Sequence, residues 1–407
     1  MRAEHQRELL RELYQRAPRG MRLGLPAMQE ACAHEGNPAQ SFEVVHVAGT
    51  NGKGSTCAMV ESMARAAGRR TGLYTSPHLC SFAERIRVDG QPIDDERLAD
   101  ALGRALRHQD LSFFEVATLA AFLAFRDANV DFCVLEVGIG GRLDATNVVQ
   151  APKVTAITRV AFDHMDKLGH TLEAIANEKA GIAKPGVPMV LGPLFPEAMR
   201  AACTVANSIG APVVLAAQSQ RARELVDVTP RALRGAHQRD NALVAVEAAL
   251  CAGLDASSVQ RGLRSASIDG RLERIETPDG PYLLDGAHNP DGAQTLSAYL
   301  QQAEAPKPAV VVFGAMADKP YDQVFELIGT HIPHRVFVAP EGRAPADPAV
   351  LAQRFAGHAA ASVPEALASA RNLAGPQGTV LVTGSLYLVG HARAVLLGLP
   401  RDTQVGL

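Results

Sequence analysis

The chain has 407 residues, enough for two domains with a core each. Its 47% hydrophobic and 20% charged residues, with a mean hydropathy of +0.01, exclude a disordered or fibrous protein. Forty Lys and Arg against 43 Asp and Glu leave a net charge of −3, so no bulk field points to nucleic acid or to an anionic membrane, and any bound anion must be held locally.

The opening stretch MRAEHQRELLRELYQR reads as a charged amphipathic helix without the apolar core of a secretion signal, and no later run is apolar enough to span a membrane. The six cysteines, Cys32, Cys57, Cys80, Cys133, Cys203 and Cys251, form no CxxC pair, which suits the reduced thiols of a cytoplasmic protein. From residue 42 a short β-branched run, a Gly-rich or polar turn and a helical stretch alternate, the pattern of parallel sheets covered on both faces in an α/β fold. Expected strands are Glu43–Ala48, Thr71–Tyr74, Phe132–Val137, Val154–Thr158 and Pro188–Leu191, with helices such as Ser55–Ala67 and Phe114–Ala128. Around residues 255–280 a surface-looking stretch interrupts the rhythm, which restarts with Tyr282–Leu284, Ala309–Phe313, Arg335–Val338 and Thr379–Val382. We therefore expect domains at 1–270 and 271–407.

The segment FEVVHVAGTNGKGSTCAMVESMARAAG places Gly49, Thr50, Asn51, Gly52, Lys53, Gly54, Ser55 and Thr56 between a strand and a helix. Glycines let successive N–H groups turn inward at a helix N-terminus, a nest for phosphate oxygens. Lys53 adds a point charge for the β- and γ-phosphates, and Ser55 or Thr56 can orient a metal-bound phosphate or the first helical turn. Gly54 separates Lys53 from Ser55, a departure from GxxxxGK[ST]. The plain alternative is a connector with Ser55 as the helix cap.

GTNGKGST, Tyr74-Thr75-Ser76-Pro77-His78-Leu79, Glu136-Val137-Gly138-Ile139-Gly140-Gly141-Arg142-Leu143-Asp144-Ala145-Thr146-Asn147, Asp163-His164 with Leu168-Gly169, Glu178-Lys179-Ala180-Gly181-Ile182, Leu284-Asp285-Gly286-Ala287-His288-Asn289-Pro290 and Gly384-Ser385 occur in this order. Together they resemble the folylpolyglutamate synthase and dihydrofolate synthase family, within the Mur ligase superfamily, over nearly the whole chain. The resemblance implies an N-terminal P-loop-type ATPase domain with a mainly parallel sheet and a smaller Rossmann-like α/β C-terminal domain. It also implies an ATP- and Mg²⁺-dependent ligase of the bacterial form, adding L-glutamate to dihydropteroate and to reduced folate through an acyl phosphate. Relatives are commonly monomeric, and a monomer without nucleic-acid or membrane partners is expected.

By resemblance Ser76, Glu136 and His164 hold magnesium, one ion or two, and Lys179 is carbamylated in relatives. Each has a plainer alternative: a turn at Ser76, a helix cap or a pair with Arg142 for Glu136, a core histidine at His164, and a helix-dipole contact for Lys179. Lys53, His164 and Lys179 form the implied catalytic set. The folate pocket is implied at Leu23 and Gly24 in Met21–Pro26, where Pro26-Ala27 departs from the family's usual arginine. It continues through Ser112, Phe113, Phe114 and Glu115, with an aromatic face for a flat ring and a carboxylate for its N–H groups, and through Leu143, Asp144 and Ala145. Phe113 and Phe114 are equally well read as core. Asn241, Arg271 and Asp285 are implied to close the nucleotide from the other side, with a helix cap and surface charge as alternatives for the first two. His288, with Asn289, is assigned to glutamate or to organising the cleft. The rivals are polyglutamate extension alone, another Mur-type ligase acting on a cell-wall precursor, and an ATP-driven switch without ligation.

Overall fold

The computed structural model describes residues 2–17, 24–342 and 344–402, with side chains from residue 4 onward, so Leu23 lies outside the described residues. Helix α1 (Arg2–Gln15) opens the chain, and α2 (Pro26–His34) starts on Pro26, whose missing N–H costs nothing at a first helical position. The proline that departs from the family pattern thus starts a helix. There follow β1 (Glu43–Ala48), α3 (Lys53–Ala66), β2 (Thr71–Tyr74), β3 (Ile86–Val88), β4 (Gln91–Pro92), α4 (Asp95–Ala105), α5 (Phe113–Asp127), β5 (Phe132–Glu136), β6 (Val154–Ile157), α6 (Met165–Leu168), α7 (Leu172–Ala180), β7 (Met189–Leu191), α8 (Pro196–Ile209), β8 (Val213–Leu215), α9 (Gln220–Val228), α10 (His237–Cys251) and α11 (Ala256–Ser265).

These strands form one eight-stranded sheet in the order β4-β3-β2-β5-β1-β6-β7-β8. It is parallel except at the β2–β3–β4 edge. The central strands β5, β1 and β6 are buried on both faces, which is why they read as nearly continuous apolar runs. Helices α3, α10 and α11 cover one face.

The stretch that looked like surface is half buried. Asp255 caps α11 by accepting from Ser258 N at 2.9 Å, and Val259, Gly262 and Leu263 face inward while Arg261 and Arg264 face water. Gly262 lies directly against the Met63 backbone, and Ser62 Oγ donates to Gly262 O at 2.9 Å, so α11 packs on the helix that carries the phosphate loop. Its polar residues hid a narrow apolar stripe.

The chain divides into two units, one holding Met1–Ser76 and Ala83–Ser267, the other Pro77–Phe82 and Ile268–Leu407. The break falls a few residues before Gly270, and the assignment of Pro77–Phe82 to the second unit has no counterpart in the sequence reading. The second unit contains β9 (Glu273–Thr277), β10 (Gly280–Asp285), α12 (Pro290–Gln301), β11 (Pro308–Phe313), α13 (Tyr321–Ile328), β12 (His334–Val338), α14 (Pro348–Phe355), β13 (His358–Ala360), α15 (Val363–Ala374), β14 (Thr379–Thr383) and α16 (Leu386–Leu397). Its sheet runs β13-β12-β11-β14-β10-β9, with only β9 antiparallel. The four expected strands are its buried centre, and the half-exposed edges β9 and β13 were not foreseen. No helix among the described residues is long and apolar enough to cross a membrane.

Candidate active site

β1 ends at Ala48 and the chain curls into α3. Gly52, the residue before α3, sits at φ +88°, and a Cβ there would collide with Asn241 Oδ1. Gly49, at φ +153°, would drive a Cβ into Thr158 Oγ1. Both positions require glycine. Thr158 Oγ1 donates to Asn51 O at 2.7 Å, and Thr50 Oγ1 donates to Ala161 O and accepts from Ala161 N, each at 3.1 Å, so the segment after β6 pins the loop.

Helix α3 has no side-chain cap, no acid in its first turn and a lysine as its first residue, the reverse of what a helix N-terminus favours. That unbalanced positive field suits an anion of high charge. Lys53 Nζ donates to Thr50 O at 3.2 Å and lies 4.0 Å from Glu136 Oε1. Thr56 Oγ1 is buried without a hydrogen-bond partner among the described residues. Gly54 is the second residue of α3, and Ser55 Oγ accepts from Gln238 Nε2 at 3.2 Å. Gln238 Oε1 in turn accepts from Asn241 Nδ2 at 3.0 Å, so the first turns of α10 reach the loop. Gln238 has no role in the sequence reading, because a glutamine near a helix start carries no signature.

Glu136 is the last residue of β5, and its Oε2 accepts from Ser76 N at 3.2 Å. The two meet because β2 and β5 are parallel neighbours, so residues at their carboxyl ends converge. Arg142, the alternative partner of Glu136, instead donates to Glu178 Oε1 through Nε and Nη2 at 3.1 and 2.8 Å. His164 stands in the left-handed region at φ 49°, with its N–H donated to Asp163 Oδ1 at 2.9 Å. A strained, partly exposed histidine beside a largely covered acid is a mark of a functional position rather than of core packing. A carboxylate, a hydroxyl and an imidazole suit a hard divalent cation that keeps part of its water shell.

Among the described residues, the one group of three His, Cys, Asp or Glu side chains spaced to share an ion lies elsewhere, at His34, Glu35 and His108. Arg104 Nη2 already donates to Glu35 Oε2 there at 2.7 Å, so that cluster is a salt-bridge network.

Lys179, in the last turn of α7, is buried rather than lying along the exposed helix end. Its Nζ donates to Gly49 O at 3.0 Å. Burial, reinforced by Lys53, lowers it to about 7.

Ser112 and Glu115 form a capping box at the start of α5. Glu115 Oε2 accepts from Ser112 N at 2.8 Å and from Ser112 Oγ at 2.6 Å, while Oε1 is buried without a partner among the described residues. Phe113 is core, stacked on Tyr14 at 5.7 Å with the Arg85 guanidinium 5.3 Å from its centroid. Phe114 is only partly buried, its ring 6.1 Å from that of Tyr74. A Cβ on Gly138 would lie 2.5 Å from Phe114 Cζ and 3.1 Å from Asp144 Oδ2, so ring, glycine and carboxylate form one wall. Leu143 is half-buried, and Ala145 opens the short 3₁₀ turn Ala145–Val148 that Asp144 caps. Gly24 stands at φ +152° just before α2. Sequence reading missed Tyr74 and Arg85, since an aromatic in a strand and an arginine before one signal packing and surface.

In the second unit, Asp285 at the end of β10 has both oxygens engaged by backbone. Leu272 N donates to Oδ2 and Ala287 N to Oδ1, each at 3.0 Å, which holds Leu272 in the left-handed region at φ 47°. Burial pushes this carboxyl above its ordinary value. Asp285 thus shapes the turn on which Arg271 packs against Gly286 and His288 Nδ1 lies 2.8 Å from Gly286 O.

Residues 47–188 match the Mur ligase middle domain, and residues 270–386 match the Mur ligase glutamate ligase domain. The chain is 34% identical to the dihydrofolate synthase/folylpolyglutamate synthase of Bacillus subtilis (strain 168), over 92% of this chain and 95% of that protein. Its fold is similar to that of E. coli FolC in complex with DHPP and ADP, with a TM-score of 0.82, 30% identity, and coverage of 93% of this chain and 94% of that one. A bifunctional folylpolyglutamate synthase/dihydrofolate synthase with Mn, AMPPNP and L-glutamate bound is equally similar, with a TM-score of 0.82, 30% identity, and coverage of 93% and 95%.

Proposed function

The chain belongs to the dihydrofolate synthase/folylpolyglutamate synthase family of Mur ligases, and from that premise we propose that it joins L-glutamate to dihydropteroate and to reduced folates, splitting ATP to ADP and phosphate. The observation that carries this reading is Lys53 at the head of an uncapped helix, facing the buried Glu136 across 4.0 Å.

A carboxylate is a poor electrophile and its oxygen a poor leaving group, so amide formation near neutral pH needs activation. An acceptor carboxylate oxygen attacks the γ-phosphorus of ATP, the bond to the bridging oxygen breaks, and ADP leaves with that electron pair. The glutamate amine then attacks the acyl carbon, losing a proton, and phosphate departs with the former carboxylate oxygen. The Gly49–Thr56 loop and Lys53 hold the triphosphate against its own charge. When bound, a magnesium ion at Ser76, Glu136 and His164 supplies neutralising charge to the phosphates. Phe114, Gly138 and Asp144 form the proposed acceptor wall, and Gly24 and Glu115 are proposed to belong to the same pocket. Arg271 is proposed to act on the nucleotide and His288 on glutamate.

Lys179 is proposed to be carbamylated. A buried amine lowered to about 7 keeps a free electron pair near neutrality, so its nitrogen can bond to the carbon of CO₂ and release a proton, turning a cation into an anion. We further propose a monomer working in the cytoplasm, which suits six free cysteines.

Isotope transfer tests the acyl phosphate. With dihydropteroate labelled by ¹⁸O in its carboxylate, one label atom is expected in each phosphate released. Unlabelled phosphate would rule the intermediate out.

A further inference from the structure

His46 lies in the middle of β1, which pairs with β5 on one side and β6 on the other; its side chain is fully buried, and no step above uses it. Its Nε2 is 2.8 Å from Thr146 Oγ1, which is itself 2.5 Å from Asp144 Oδ1. Asp144 Oδ1 also accepts from Thr146 N at 3.0 Å, and Oδ2 accepts from the N–H groups of Gly138 and Ile139, each at 3.1 Å. Burial pushes this carboxyl above its ordinary value, and the four converging donors oppose that rise by favouring the ionised form.

A threonine hydroxyl has one proton to give. With that proton on Asp144, Thr146 Oγ1 is left as an acceptor, and His46 must be the donor through Nε2–H. Two further features agree. Burial, with Lys184 nearby, lowers the imidazole to about 3, so the ring is neutral and carries a single proton. Its Nδ1 has no hydrogen-bond partner among the described residues, which a bare acceptor nitrogen tolerates better than an N–H would.

We propose that His46 is a positioning residue for acceptor binding: it commits the Thr146 proton to Asp144, and so fixes the carboxylate that braces the Gly138–Ile139 turn beside Phe114. The proposal rests on the reading that Phe114, Gly138 and Asp144 wall the acceptor pocket. Its mechanical sense follows from chain order. β1 runs from His46 directly into the phosphate loop, while the braced turn follows Glu136 at the end of β5. The relay therefore ties the acceptor wall to the strand that carries the triphosphate, keeping the two reacting groups in register.

Steady-state kinetics with dihydropteroate, ATP and glutamate varied in turn test this on His46→Leu, His46→Gln, Thr146→Val, Thr146→Ser and Asp144→Asn. His46→Leu and Thr146→Val are each expected to raise the dihydropteroate KM about tenfold, the loss of one hydrogen bond in a chain ending on a charge, with the KM for ATP and for glutamate unchanged. The His46→Leu/Thr146→Val pair should be no worse than Thr146→Val alone, because both act through the same carboxylate. Thr146→Ser keeps the hydroxyl and His46→Gln keeps an N–H donor, so both should stay near the wild-type KM.

An unchanged dihydropteroate KM in Thr146→Val, while Asp144→Asn raises it, overturns the relay alone. All three KM values moving together with a lowered Tm, and without recovery in the Ser and Gln variants, overturns it in favour of a packing role. An unchanged dihydropteroate KM in Asp144→Asn overturns the acceptor-wall reading, and the proposal with it.

Discussion

The Lys179 ammonium donates to the Gly49 carbonyl at 3.0 Å, fastening the last turn of α7 to the first residue of the phosphate loop. Among the described residues no carboxylate is in hydrogen-bonding contact with this cation, and burial leads the causes that lower it from 10.5 to about 7. Between those two values the unfolded chain binds a proton at this site that the folded chain has released. Folding stability therefore rises with pH across that window, by up to about 1.4 kcal/mol per pH unit from this one group, and is flat in this respect below it.

Lys179→Met removes the titration while keeping the apolar stem. Urea denaturation in CO₂-free buffer should show a wild-type stability gain from pH 7 to pH 9 that is smaller in the variant. Parallel pH profiles for the two proteins would contradict the lowered value.

Gly52 stands at φ +88° with Asn241 Oδ1 where a Cβ would go. Gly52→Ala combines left-handed strain with a collision inside the loop, and a loss of about 2 kcal/mol is expected. The chain has no tryptophan, so far-UV circular dichroism is the signal to follow. ADP affinity, measured by calorimetry, should fall at least tenfold; unchanged affinity would place the nucleotide elsewhere.

Ser112→Ala breaks the capping box that Glu115 completes. A stability loss of about 1 kcal/mol is expected for the cap. Freed from Ser112, the Glu115 carboxylate no longer holds one orientation, so the acceptor KM should rise several-fold while the ATP KM stays put. Loss of stability with no change in acceptor KM would leave Ser112–Glu115 as a helix start alone.

The phosphate loop, β1 and β2 were legible in the sequence because burial on both faces leaves apolar runs and because the turn chemistry of Gly49 and Gly52 has few other uses. The helix at 256–265 was not, since its exposed Arg261 and Arg264 outweighed the three-residue stripe that packs on α3. Edge strands β9 and β13 escaped for a related reason: half-exposed strands alternate polar and apolar residues over too few positions. Within the site, Glu136 is legible as the charged residue that ends the otherwise apolar run of β5. Tyr74, Arg85 and Gln238 did not, because what singles them out is their neighbours in space. Ser112–Glu115, read by resemblance as a substrate motif, forms a helix cap in the structure, and one line of sequence does not separate the two readings.

The most direct test of the ligase is phosphate release with mass spectrometry of the products, using ATP, magnesium and L-glutamate with either dihydropteroate or tetrahydrofolate. Release is expected with each acceptor, none when acceptor or glutamate is left out, a product heavier by one glutamyl group, and silence in Lys53→Ala despite an unchanged far-UV spectrum. Phosphate release that ignores the acceptor, or no release with either acceptor from a protein that binds ATP, would contradict the ligase reading.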